Sequence, residues 1–443
     1  MKKFNLHKTL LLLCLLLLII SLTMIFTKNY PVAGFLLISL FVVLSFAVRG
    51  FEAFKGLSFT MWMFAAVSAA MFFPQLFVQW GNFKTSVLIV PLLQIIMFGM
   101  GSQMSFEDFA GLIKMPKGVL VGFFGHYLIM PITAVIIVHI LKLPPEIAAG
   151  VILIGCVPNG LASNVMSLLC NANLVLAVTV SAVTTIAGPF ITPFLMKVIG
   201  GQYVEINVWA MMMDIIKMMI FPIIAGFIFN LINSGKLSPR KRNMQLLYYA
   251  ITILLANLIH WYVYQTGFTG YLLVSLKTLA MWIVAPVILG MLFRYYFKGD
   301  TKVQKQILSM LSMVGIAVIV TVITAAGQES LLTVGGVLLL VVTIQNLLGY
   351  VLGYNAGRLF RLPKRDCRTL AFEVSMSNGG LASGLAMTIG NIATVGLAPA
   401  IYGPLMNVTG STIASYWRTK PIDPNEKHGD RKSKKAVEEK KDN

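Results

Sequence analysis

The chain has 443 residues, of which 57% are hydrophobic and 12% charged, and its mean hydropathy is +0.82. These values exclude an ordinary soluble domain and identify an integral membrane protein. The formal charge of +19 does not make it a nucleic-acid binder, because the basic residues fall between apolar runs and at the tail rather than in a stripe interleaved with stacking aromatics. Cys14, Cys156, Cys170 and Cys367 lack CxxC spacing and sit mostly in apolar stretches, so they read as packing residues, not as a disulfide framework or a zinc site. No cofactor is expected.

A bilayer core about 30 Å thick needs about 20 apolar helical residues. In chain order this criterion gives about fourteen spans, near 8–27, 31–48, 57–79, 86–104, 117–141, 146–170, 173–199, 208–232, 245–265, 271–297, 305–327, 331–360, 368–390 and 393–416. The first follows Lys2 and Lys3 as a signal peptide would, but the run is long and no clear small-x-small cleavage site follows. With a cytoplasmic amino terminus, about 29 of the 35 Lys/Arg fall inside and about 4 outside, namely Lys28, Lys84, Lys142 and Lys197. Inner clusters are Lys236, Arg240, Lys241 and Arg242; Arg294, Lys298, Lys302 and Lys305; and Arg358, Arg361, Lys364, Arg365 and Arg368. A bias of this size would vanish if one span were missed in mid-chain. Both termini are therefore expected in the cytoplasm and the chain in the inner (plasma) membrane. The charged tail, 418–443, reads as solvated, with attraction to anionic lipid as a modest role.

The motif GLAS occurs at Gly160–Ser163 and again at Gly380–Ser383. The copies lie in the sixth and thirteenth spans, which cross the membrane in opposite directions, so they mark an inverted repeat. Secondary transporters commonly place their sites at the midplane, where discontinuous helices from such halves meet. Neither stretch suits a continuous apolar helix: Pro158-Asn159-Gly160 breaks the first, and "EVSMSNGG" from Glu373 puts a carboxylate, two serines, an asparagine and paired glycines into the second. Small-residue packing explains many Gly/Ser-rich spans, but it does not call for an intramembrane glutamate.

Glu373 is the most informative residue, since an ionised carboxylate in the bilayer needs a cation, a donor network or a proton. A sodium site suits carboxylate, amide, hydroxyl and carbonyl oxygens. Other polar groups carry less. Asp214 and Lys217 read as an internal pair and His126 as an interior histidine or an ion or proton ligand. Gln345 and Asn346 read as interhelical bonding, and Asn407 reaches toward the crossing. His139 and His260 lie near span ends without interpretable spacing, and "MMMDIIKMM" reads as adaptable packing.

With these residues in view, the sequence resembles the bile acid:sodium symporter family. The resemblance is carried by "GCVPNGLASNVMSLLCNANLVLAVTVSAVTTIAGPFITP" from Gly155 to Pro193, "RTLAFEVSMSNGGLASGLA" from Arg368 to Ala386, "QNLLGY" and "MNVTGSTIASYW", with "IMFGMG" and "IMP" before them. It implies an all-α polytopic fold of two inverted five-helix repeats, forming panel and core domains with two broken crossing helices. Spans three to eight and eleven to fourteen supply the ten helices, leaving about four extra: a pair in 1–56 and an inserted pair in 233–304. The first repeat and the start of the second then occupy 57–232, and the remainder of the second 305–417.

The resemblance implies a first sodium site at Ser163, Asn164, Ser181 and Glu373, with Ala177 where the family has a further hydroxyl. A second site would use Glu373, Val374 and Met376, but its two glutamine positions hold His126 and Ser377. Substrate contacts are implied at Asn378 and Asn407, beside helix amino termini near Leu161 and Gly380 that favour an anion. The expected function is sodium-coupled symport of a small organic anion, a carboxylate, by alternating access. Proton coupling through Glu373 and His126 is the alternative. A channel would require polar lining along several helices, and an enzyme would require a motif such as HExxH that is not found in this sequence.

Overall fold

The computed structural model describes residues 6–51, 57–104, 110–234, 239–264, 268–389 and 391–420. All fourteen predicted spans lie in helical segments. They are α1 (Leu6–Phe26), α2 (Tyr30–Ala47), α3 (Ser58–Phe72), α4 (Ile89–Gly101), α5 (Pro116–Leu141), α6 (Pro145–Cys156) with α7 (Ala162–Leu169), α8 (Leu174–Leu195) and α9 (Val208–Asn233). Then follow α10 (Pro239–Tyr264), α11 (Leu272–Phe297), α12 (Thr301–Ala326), α13 (Gln328–Leu359), α14 (Lys364–Ser375) with α15 (Gly379–Ile389), and α16 (Leu397–Arg418). Among the described residues, eight of these are long and apolar enough to cross a bilayer unbroken. The chain is thus an all-α polytopic membrane protein. The solvated-tail reading of 418–443 falls, beyond Lys420, outside the described residues.

The helices pack in two groups. In one, α4 contacts α9 and α12, and α12 contacts α3, with α2 laid against α3, α1 against α2, and α11 against α9. In the other, α5 gathers α6, α8, α13 and α14, while α16 contacts α6, α7, α13 and α15. Glycines set the closest approaches: a Cβ on Gly101 would sit 2.0 Å from the Ile223 carbonyl oxygen, and one on Gly226 would sit 2.0 Å from that of Phe98, so α4 and α9 touch backbone to backbone. A second seam is Gly349, Gly353 and Gly357, one glycine per turn of α13, where added Cβ atoms would meet Ser375, Leu370 and Cys367 of α14 at 2.7–2.9 Å. This seam seats the helix that carries Glu373.

The remaining polar expectations fall as follows. Asp214 lies beside Lys217, one turn along α9, and against Thr388 of α15. Met211, Met212, Met213, Met218 and Met219 are buried packing residues. His139 is exposed at the end of α5, and the His260 side chain lies outside the described residues.

Candidate functional site at the helix crossing

The first break follows from Pro158, which has no N–H to continue α6; Val157 already has extended backbone at φ −77° and ψ 154°. The second has no proline. Its helix restarts because Asn378 caps α15, its Oδ1 accepting from the Leu381 N–H at 3.0 Å. The two breaks satisfy each other. Gly160 N–H donates to the Met376 carbonyl and Asn378 N–H to the Pro158 carbonyl, both at 2.8 Å, with Asn159 opposite Ser377 in an antiparallel bridge. Two helix ends buried at membrane depth thus find the backbone partners that lipid cannot provide.

Side chains from neighbouring helices reach the other carbonyls freed by the breaks. Thr192 of α8 donates to the Cys156 oxygen at 2.8 Å. His126 of α5 stands between the two broken helices, its Nε2 2.8 Å from the Val157 oxygen and its Nδ1 3.0 Å from those of Glu373 and Val374. The Ser375 oxygen accepts from Asn346 Nδ2 at 3.1 Å and from the Tyr402 hydroxyl. Asn346 is itself held by Thr409, whose hydroxyl donates to its Oδ1 at 2.6 Å. The expected interhelical role of Asn346 is visible here; Gln345 Nε2 reaches the Val151 oxygen at 3.4 Å.

The Glu373 carboxylate lies within this frame, with no solvent exposure. Its Oε2 accepts from Ser181 at 3.0 Å and from Asn159 Nδ2, and Thr184 fixes Asn159 by donating to its Oδ1 at 2.7 Å. Among the described residues, its Oε1 accepts no hydrogen bond. Ser163 lies beside the carboxylate, and its hydroxyl donates to the Gly160 oxygen at 2.8 Å. Asn164 Oδ1 completes the group, 3.4 Å from the Ser181 hydroxyl. An orphan carboxylate oxygen surrounded by hydroxyl and amide oxygens is a donor set for a hard cation.

The sequence-predicted residues separate into three places. Ser163, Asn164, Ser181 and Glu373 converge on one carboxylate. His126, Val374 and Met376 lie where the breaks are tied together, with the Ser377 hydroxyl buried beside them and without a hydrogen-bond partner among the described residues. Leu161, Gly380, Asn378 and Asn407 line a cavity of about 570 Å³ between the two helix groups, which Asn164 also borders. Its wall is mostly apolar, with Met63, Met97, Met100 and Met406, and it extends to Gln103, just past the end of α4, and to Lys305, in the basic first turn of α12. Ala177 is buried and adds no oxygen ligand from its side chain.

Sequence reasoning missed three contributors. Asn159 stood inside the quoted motif, but its place as a donor to Glu373 depends on the break geometry. Thr184 lies one turn after Ser181, so a same-face search along α8 would have found it. Tyr402 gave as its only signal a lone hydroxyl in an apolar run.

The Sodium Bile acid symporter family matches residues 90–267. A Bacillus subtilis protein described as an uncharacterised sodium-dependent transporter, YocS, is 29% identical over 84% of this chain and 94% of its own length. The probable sodium/metabolite cotransporter BASS1 of Arabidopsis thaliana chloroplasts is 23% identical over 82% of this chain and 73% of its own. The human ileal sodium/bile acid cotransporter is 26% identical over 72% and 74% respectively.

Proposed function

We propose, on the premise that the chain belongs to the sodium bile acid symporter family, that it carries a small organic anion across the membrane together with sodium. As in its relatives, the activity is transport and not catalysis. One observation carries the sodium reading: the buried Glu373 has an oxygen that accepts no hydrogen bond, next to Ser163, Asn164 and Ser181. A bare carboxylate at membrane depth is costly, and a sodium ion placed there turns that cost into affinity.

The anion belongs in the adjoining cavity. Asn378 and Asn407 offer amide donors, and the amino termini of α7 and α15, near Leu161 and Gly380, present backbone N–H groups and positive dipole ends to a carboxylate. Sodium at Glu373 sits one residue layer behind these groups, so the ion orders the break that forms the anion site, and each ligand favours binding of the other. Alternating access follows if the α5-centred group rocks as a core domain against the panel of α3, α4, α9 and α12, with the two GLAS segments as the crossing of an inverted repeat. The cavity reaches Lys305 in the basic first turn of α12, which the positive-inside rule puts in the cytoplasm. Both termini then face the cytoplasm, in the inner membrane of the cell.

The test is uptake of labelled small carboxylates into proteoliposomes under an inward sodium gradient. Sodium-driven accumulation by the wild type and its loss in Glu373→Gln are expected; no carboxylate uptake under any sodium or proton gradient would sink the reading. Proton coupling through Glu373 and His126 is the second reading. It is favoured by His126 itself, both of whose ring nitrogens face carbonyl oxygens, an arrangement that only the doubly protonated ring satisfies. Replacing sodium by potassium at fixed pH separates the two: uptake that survives the exchange is proton-driven.

A further inference from the structure

We infer that the crossing binds a single sodium ion, and that His126 permanently occupies the second position there that attracts a cation. The inference rests on the sodium reading of the Glu373 site and concerns how many ions that site takes.

Two places at the crossing concentrate negative potential. One is the Glu373 carboxylate. The other is the pair of helix carboxyl ends, where α6 and α14 stop side by side and their dipoles point at the same spot. A cation at the second place would need the oxygens of Val157, Glu373 and Val374. All three lie within 3.0 Å of the His126 ring nitrogens. The ring has no solvent exposure and is flanked edge-on by Tyr127 at 5.2 Å, so it fills the position as a fixed part of the wall. The next carbonyls are also engaged: those of Pro158 and Met376 by backbone N–H groups at 2.8 Å, and that of Ser375 by Asn346 and Tyr402.

The oxygens available lead to the same count. The crossing holds one carboxylate, whose Oε1 has no donor among the described residues, so one sodium finds a ligand there without displacing a protein hydrogen bond. A second would lie among carbonyl oxygens that His126 and backbone N–H groups already serve, with the Ser377 hydroxyl uncommitted beside them, the situation in which desolvation outweighs attraction. With a monocarboxylate as cargo, the loaded carrier then adds no net charge to the empty one.

The experiment counts ions on the purified full-length protein, using isotopic sodium alone as the probe. Saturation at one ion per chain is expected, together with an apparent stability that rises with the logarithm of sodium concentration at the slope for one site. Saturation at two, or a doubled slope, overturns the inference while leaving sodium binding intact. No sodium bound at any concentration overturns instead the sodium reading beneath it. His126→Gln removes the ring and supplies an amide oxygen, so a folded variant is expected to bind two ions; a count still at one would overturn the role given to His126.

Discussion

Glu373 is held asymmetrically: two donors serve Oε2 and none serves Oε1. The donor side depends on a relay, because Thr184 aims the Asn159 amide by bonding its oxygen. Thr184→Val keeps the volume and removes the hydroxyl. It is expected to cost about 0.5–1.5 kcal/mol of stability and to weaken sodium several-fold, read from urea unfolding and from the midpoint of a sodium titration. Unchanged sodium affinity would show that Asn159 needs no such aiming. Among single residues, the sequence made the charged and hydroxyl ligands legible, because Glu373, Ser163 and Ser181 are out of place in an apolar span. It did not reveal Tyr402 or the contacts of His126. Their partners lie 27 and 247 residues away, and hydropathy periodicity does not record how a buried helix is rotated about its axis.

At the scale of helices, the glycine seam of α13 holds the broken helix in place. Gly353→Ala would drive a methyl group to 2.7 Å from the Leu370 carbonyl oxygen and 2.8 Å from Val374, pushing α14 off its seat. Destabilisation of about 1–3 kcal/mol is expected. Gly336, on the same helix with nothing within 4 Å of an added Cβ, is the control, and its alanine variant is expected to be neutral or stabilised by about 0.5–1 kcal/mol. Equal losses in thermal unfolding of the two variants would refute the seam. That the apolar runs are helical, and that the first helix breaks, were readable from run length and Pro158. The second break was legible as the stretch Glu373–Gly380. Within it the break falls at Met376–Asn378, because the Asn378 cap and the pairing with Pro158 and Gly160 decide where the helix restarts. That pairing is between segments some 220 residues apart, and the repeated motif was its only sequence signal.

For the molecule as a whole, the two packing groups enclose the cavity, and its reach to Lys305 in the basic first turn of α12 makes a topological prediction. Cys14, Cys156, Cys170 and Cys367 are all buried, so an introduced thiol can be read against a quiet background. Ser309→Cys, on the cavity wall of α12, is expected to react with a membrane-impermeant thiol reagent applied from the cytoplasmic face and to be protected when a transported carboxylate is present. Labelling from the outer face alone would invert the assigned orientation. Helices α1, α2, α10 and α11 were visible in the sequence as apolar runs. That α1, α2 and α11 attach to the outside of the α3–α4–α9–α12 group was not, since their apolar faces meet lipid and protein alike and hydropathy does not distinguish the two.

The most direct test of a sodium ion at Glu373 is the thermal stability of the purified protein in sodium chloride against potassium chloride, at equal ionic strength and pH, for wild type and Glu373→Gln. A ligand at 10 to 100 times its Kd stabilises the native state by about 1.4–2.7 kcal/mol, so the wild type should show a saturable, sodium-specific rise in Tm. Glutamine can keep its oxygen toward Asn159 and Ser181 and donate from its amide to Ser163, so the variant should be at least as stable as wild type in potassium and indifferent to sodium. A sodium-specific rise that persists undiminished in Glu373→Gln would contradict the assignment.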